Sequence, residues 1–396
     1  MYILFIAQII NRSGDFVMPF LTLLLVRKMG LDYQQAGYSV ILATISTIPG
    51  SFIGSKISDH IGKKKTYLIF QSIYAVFILL CVFASTPYIF IALICLGCFF
   101  NGAVRPIISA IITDILPSDQ RKIGFSLSYL GINLGVAIGP IIAGFLFAKY
   151  IPLIFIGDAI TSFIAVILVY TNVKEFKPIE KEDIIRHSER CETGSLFSVL
   201  LKRPKILFFL LIFILFNMCS SQHSFSLPVM CTYIFGDKGS QYYGFLMSVN
   251  AITVISLTAY LTHLARNLKP LTTIILSGIL YAIGFGMITF IHSLPLFILS
   301  TFIWSVGEIM IVINFGAFVA SQSPQNYRAR FNAVAAMSGT VGSMLSTSFM
   351  GSIMKHSGVT AVWSIIFIIG IAGAFGMFLL KTISERIESR VSLPET

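Results

Sequence analysis

Long apolar runs separated by short polar turns occupy nearly the whole chain. Twelve of them read as spans, at 2–26, 35–57, 67–86, 88–115, 123–148, 152–173, 205–233, 241–264, 270–291, 295–321, 331–355 and 359–381. Each is about 20 to 29 residues, enough for an α-helix to cross roughly 30 Å of hydrocarbon. The expected fold class is therefore an all-α membrane protein of twelve transmembrane helices. The first run has no basic leader and no small-residue cleavage site, so it reads as a retained span.

The joints between spans are tight, with one exception. Lys174–Lys205 carries 8 basic and 6 acidic side chains and little apolar content. It divides the chain into an N-terminal six-helix bundle, 1–173, a linker, 174–204, a C-terminal six-helix bundle, 205–381, and a tail, 382–396. The halves share a signature: Pro117-Ser-Asp-Gln-Arg121 follows span 4 and Pro324-Gln-Asn-Tyr-Arg328 follows span 10. Two pseudo-symmetric bundles are the expected arrangement, as in transporters built from repeats.

Composition agrees with this pattern. Of 396 residues 56% are hydrophobic and 11% charged, about half the charged share of an average soluble domain. The net charge of +11 would suggest nucleic acid in a soluble protein, but its placement says otherwise. If Ser55–Thr66 faces the cytoplasm, twenty-one of the 28 Lys and Arg lie on inner segments and five on outer ones. That is the positive-inside bias. It places the linker and both termini in the cytoplasm and removes the need for a nucleic-acid partner. The six cysteines give no ligand spacing beyond Cys95 and Cys98, and no metal or cofactor is expected. Gly62-Lys63 lacks the leading glycine and the strand of a phosphate-binding loop.

The turn Ser55–Thr66, SKISDHIGKKKT, sits between spans 2 and 3. Glycine permits the tight reversal, and an acid at a helix end can lock to neighbouring basic groups in one conformation only. Twelve spans in two halves with this turn resemble the major facilitator superfamily. Asp59, Gly62, Lys63 and Lys64 match its motif, with Ser55 in place of the leading glycine. The resemblance implies a gate at the inner rim, in which Asp114 and Arg121 join the turn.

Span 5 reads Gly131-Ile-Asn-Leu-Gly135-Val-Ala-Ile-Gly139-Pro140-Ile-Ile-Ala-Gly144. Glycines at every fourth position let a partner backbone approach, and Pro140 bends the helix. This span resembles the motif of drug/proton antiporters within the superfamily, which implies export of lipophilic compounds.

Charges within spans are few, and each costs at least about 2.5–3.5 kcal/mol at mid-bilayer unless paired or used. Away from the span ends they are Arg12 and Asp15 in span 1, Arg105 in span 4, Asp158 in span 6 and Glu308 in span 10. Arg105 resembles the family's proton-coupling arginine, although Ile108 and Ser109 replace the residues that usually follow. The expectation is that Asp15 takes up and releases a proton as Arg105 approaches and withdraws. Glu308 is a second titrating group or a counter-charge for a cationic substrate. Asn11, Asn101, Asn217, His223 and Asn314 are candidates to line a substrate cavity.

The function expected is proton-coupled export of small lipophilic molecules by a monomer in the cytoplasmic membrane. A narrow-specificity importer or exporter of a sugar, peptide or anionic metabolite is the alternative, with Arg105 pairing the anion. A lipid flippase or membrane enzyme has less support, because no nucleophile–base pair or zinc spacing is present.

Overall fold

In the computed structural model, residues 2–117, 120–173, 200–265, 268–323 and 328–391 are described. Every regular element among them is a helix. Most of the linker, 174–199, lies outside them, as do the middles of the two repeat signatures and residues 392–396. Two compact units account for the chain: the first is Met1–Asp183 with Ser224–Ile255, the second Ile184–His223 with Ser256–Thr396.

The first unit opens with α1 (Tyr2–Ser13) and α2 (Val17–Leu23), the latter running into a π-helical turn, Leu24–Lys28. Next come α3 (Tyr33–Ile61), α4 (Lys63–Leu80), α5 (Pro87–Ile115), α6 (Arg121–Lys149) and α7 (Ile151–Asn172). Beyond them lie α8 (Pro204–Ser220), α9 (Gln222–Phe235), α10 (Gly239–Ala265), α11 (Pro270–Gly286), α12 (Leu294–Gln322), α13 (Arg328–Ser357) and α14 (Ala361–Val391).

Local signals set the boundaries. Asp32 caps α3 reciprocally: its Oδ1 accepts from the Gln35 amide at 2.8 Å while Gln35 Oε1 accepts from the Asp32 amide at 3.2 Å. Thr86 with Pro87 starts α5, and Pro204 and Pro270 start α8 and α11, since proline fits the first turn, where its missing donor costs nothing. Gly62 sits between α3 and α4 at φ +98°, in the left-handed region where side chains are strained.

Ten helical segments among the described residues are long and apolar enough to cross a membrane. One of these, Pro204–Ala265, is 62 residues long and contains two predicted spans joined by a 3₁₀ turn, Gly236–Lys238. The predicted span 331–355 is helical within α13 but rich in serine, threonine and glycine. Small residues let helices approach where lipid supplies no hydrophobic drive to associate. A Cβ on Gly50 would strike the Phe99 carbonyl, one on Gly102 the Thr47 carbonyl and one on Gly54 the Ala103 side chain, so α3 and α5 pack backbone to backbone. An apolar cluster including Leu4, Phe70, Ile107, Ile111 and Val169 fills the first unit beside them.

Candidate functional site

The predicted first span is not one helix. Gly14, Asp15 and Phe16 interrupt it between α1 and α2. Glycine weakens a helix interior and aspartate competes for backbone hydrogen bonds. The break survives because the surrounding helices meet the groups it frees.

Asp158 on α7 does most of this. It is 1% exposed, and its Oδ2 accepts from the amides of Phe16 and Val17, both at 3.2 Å. Its Oδ1 accepts from the hydroxyl of Tyr74 on α4 at 3.3 Å. Three donors to one carboxylate offset the cost of its burial. Asp158 also lies within electrostatic reach of Asp15. Asp15 pairs with Arg12, whose Nη1 donates to Oδ2 at 2.8 Å, and the two side chains are 21% and 29% exposed.

One turn away lies a neutral layer. Ser162 Oγ accepts from Asn11 Nδ2 at 3.2 Å and from Gln71 Nε2 at 3.1 Å. Gln71 and Tyr74 on α4, and Ser162 and Asp158 on α7, are thus pairs one turn apart on their own helices, and Asn11 on α1 and Asp15 in the break accompany them. Asp15 Oδ1 and Gln71 Oε1 are buried without a hydrogen-bond partner. A buried acceptor left unmet costs about 1–3 kcal/mol, so the network has capacity for a proton or a small cation. Gln71, Tyr74 and Ser162 are absent from the residues expected from sequence. The signal was the pairing of Gln71 with Tyr74, two polar groups one turn apart within an apolar run.

The glycine stripe of α6 positions α1 at this network. A Cβ on Gly131 would meet Phe5, one on Gly135 the Arg12 side chain, and one on Gly139 the carbonyls of Arg12 and Ser13, at 3.0 Å each. Beyond them, a Cβ on Gly144 would lie 2.6 Å from the Ser240 carbonyl, and Ser240 Oγ donates to the Gly144 carbonyl at 3.1 Å. A Cβ on Gly244 would strike the Pro140 carbonyl. The stripe therefore serves α1 on one stretch and the start of α10 on the next.

Other expected residues fall elsewhere. Arg105 is exposed on α5, with Ser109 Oγ donating to its carbonyl, so the guanidinium paired with Asp15 is that of Arg12. Asn101 is half-buried on the same helix. At the turn after α3, Lys63 pairs with Asp114 at 2.6 Å. Lys64 donates to the Tyr170 carbonyl at 2.8 Å and lies 5.4 Å from that ring's centroid. Asp59 is exposed. Arg121 begins α6, and its side chain lies outside the described residues.

In the second unit, Asn217 Nδ2 donates to the Phe213 carbonyl at 2.9 Å and Asn314 Nδ2 to the Met310 carbonyl at 2.9 Å. His223 Nδ1 lies 2.6 Å from the Ser220 carbonyl, and its ring stacks on Trp304 at 5.9 Å. Half-buried Glu308 is within electrostatic reach of Tyr281, whose hydroxyl bonds Ser220. Among the described residues no cluster of three or more His, Cys, Asp or Glu has metal-binding geometry.

Comparison with known proteins gives a consistent family. The sequence profile of the Major Facilitator Superfamily matches residues 4–347. An uncharacterised MFS-type transporter of Bacillus subtilis (strain 168), YqjV, is 23% identical over 301 residues, 74% of this chain and 71% of that protein. A Na(+), Li(+), K(+)/H(+) antiporter of Planococcus maritimus is 21% identical over 364 residues, 85% of each chain. A crystal structure of the nucleoside transporter NupG superposes with a TM-score of 0.78 at 14% identity, covering 96% of this chain and 98% of that one, a likeness of fold.

Proposed function

The chain belongs to the Major Facilitator Superfamily and is a multi-pass secondary transporter rather than an enzyme; from that premise, we propose that it is a proton-coupled antiporter exporting small lipophilic molecules. The observation that carries this reading is the interrupted first helix, where Asp15, paired with Arg12, lies near buried Asp158.

The two acids have different parts in this proposal. Both oxygens of Asp158 are engaged by three donors, so it holds the break in shape. Asp15 is the proton carrier: one oxygen faces Arg12, the other has no partner, and its side chain is partly open. Protonating Asp15 neutralises it and releases Arg12, which changes what holds α1 against α6 and α7. A proton thereby biases one arrangement of the broken helix over another, as a ligand must if it is to drive alternating access. The Lys63–Asp114 pair is the inner latch that this change engages or frees.

Export, rather than import, is supported by the Gly139-Pro140 stripe and its place against α1. A lipophilic substrate suits the aromatic character of the second unit, where ring contacts include Phe213 with Phe315 and His223 with Trp304. The membrane in this proposal is the cytoplasmic one, with both termini inside and the monomer as the working unit. Inside-out vesicles with an imposed proton gradient test the reading. Lipophilic cations or dyes should accumulate in the wild type, and Asp15→Asn should abolish the gradient dependence. Transport by Asp15→Asn with unchanged proton dependence would overturn the assignment.

A second reading is exchange of an alkali cation for protons. Two neighbouring carboxylates with buried, unpartnered oxygens on Asp15 and Gln71 favour it, as does the named activity of the Planococcus relative. Sodium, lithium or potassium added to acid-loaded vesicles would discharge the gradient without any organic substrate.

A further inference from the structure

Two adjoining cavities lie at one end of the second unit. The larger, about 490 Å³, is an apolar groove between α8 and α14. Phe208 and Ile212 form one wall, Leu379, Leu380 and Ile383 the other, with Gly376 on α14 leaving space between them. Phe208, Leu379 and Ile383 are 56%, 44% and 55% exposed, so the groove opens outward from the helices. The smaller, about 180 Å³, mixes charged side chains with Pro270, Leu271 and Phe318 and shares Lys205 and Ser384 with the groove.

Its lining gathers charge from three stretches distant in sequence: Lys205 at the start of α8, Lys269 just before α11 and Lys381 on α14. One carboxylate faces these three lysines. Glu385 accepts from Lys269 at 2.7 Å and is within electrostatic reach of Lys381. Ser321 and Gln322, at the end of α12, add polar groups to the same cavity. All these positions belong to the ends that the Lys/Arg bias assigns to the cytoplasm.

We propose that this paired cavity binds an anionic phospholipid of the inner leaflet, its headgroup against Lys205, Lys269 and Lys381 and an acyl chain along the groove of α8 and α14. The positive lining complements an anionic headgroup, and basic pockets between helices at this membrane face attract such lipids. The groove supplies the second half of the recognition. A soluble anion has no use for an apolar channel continuous with the lysines, and a neutral lipid has no use for the charge. Bound there, the lipid joins the two helices that begin and end this unit's described core, and it stabilises the folded protein by mass action.

The test uses the full-length protein in mild detergent, titrated separately with phosphatidylglycerol, with phosphatidylcholine of the same chains and with inorganic phosphate. Thermal unfolding is the readout. Phosphatidylglycerol alone should raise the midpoint saturably. Lys205→Gln with Lys381→Gln should weaken its apparent affinity about thirtyfold. Ile383→Trp, which fills the groove from an exposed position, should weaken it with every lysine intact. Should the lysine variant fail to fold, Ile383→Trp decides alone. An equal shift with phosphatidylcholine, the same shift with inorganic phosphate, or a wild-type response in Ile383→Trp would each overturn the proposal.

Discussion

Among the described residues two helix runs break at mid-span, and they are held in different ways. Between α1 and α2 the gap contains an acid, a second acid takes the freed amides, and an arginine pairs with the first. Between α8 and α9 the gap is Ser221, and the side chains that bridge it are an amide and a hydroxyl. Gln222 Nε2 donates to the Met218 carbonyl at 3.1 Å and to Ser346, whose hydroxyl donates to the same carbonyl at 2.7 Å. His223 follows, stacked on Trp304, which stacks on Phe285 at 5.2 Å. A break held by ionisable groups can change with a proton or a cation. One bridged by an amide and a hydroxyl offers a proton less to act on. The proposed division of labour follows, with coupling in the first unit and substrate contact in the second.

The largest expected effect breaks that comparison outright. Asp15→Asn should reduce gradient-driven transport to background in vesicles while substrate exchange without a gradient persists, since the variant removes the titrating group and keeps the shape. Next in size, Asp158→Ala should cost about 2–4 kcal/mol, because it orphans two amides and the Tyr74 hydroxyl; a lower unfolding midpoint in detergent checks this. Asp158→Asn, which keeps an acceptor, should cost less than Asp158→Ala in the same measurement.

Gly135→Ala tests whether the stripe holds the charged break in place. A methyl there meets the Arg12 side chain and lies 2.9 Å from the Ile9 carbonyl, so α1 must shift, at about 1–3 kcal/mol. The expected readout is a lower midpoint together with altered proton dependence of transport. The smallest effect sharpens the contrast from the other side. Gln222→Ala should cost about 1 kcal/mol, read as a slightly lower midpoint, and should leave the pH profile of transport unchanged. A shifted profile would mean that the neutral break also takes part in coupling.

Much of this architecture was legible in the chain. The predicted spans fall on helical stretches among the described residues, although the first is broken at 14–16 and the seventh at Ser221, and the turn at Gly62 lies inside the polar stretch 55–66. Asp15 and Asp158 were visible as isolated charges in apolar runs. Their relationship was not, because they lie 143 positions apart in sequence and meet only through the Phe16 and Val17 amides, groups that become available when the first helix breaks. Arg12 stands three residues before Asp15 in the chain, a spacing that permits a pair without requiring it, and the structure chose it over Arg105. Residues such as Gln71 and Ser162 were easy to pass over, because single neutral polar groups in spans usually serve ordinary interhelical bonds.

Length, hydropathy and charge placement are local quantities, and they alone determined that this is a helical membrane protein with a charged turn after its second span. Which faces meet was decided by the folded helices. In lipid the surroundings are as apolar as the interior, so no hydrophobic stripe separates a packed face from a lipid-facing one. The contacts are chosen instead by glycine gaps and by polar groups that find each other once the chain is assembled. The broken first helix depends on Asp158 from α7, Tyr74 from α4 and the glycines of α6 together, and only tertiary structure brings those three helices to one place.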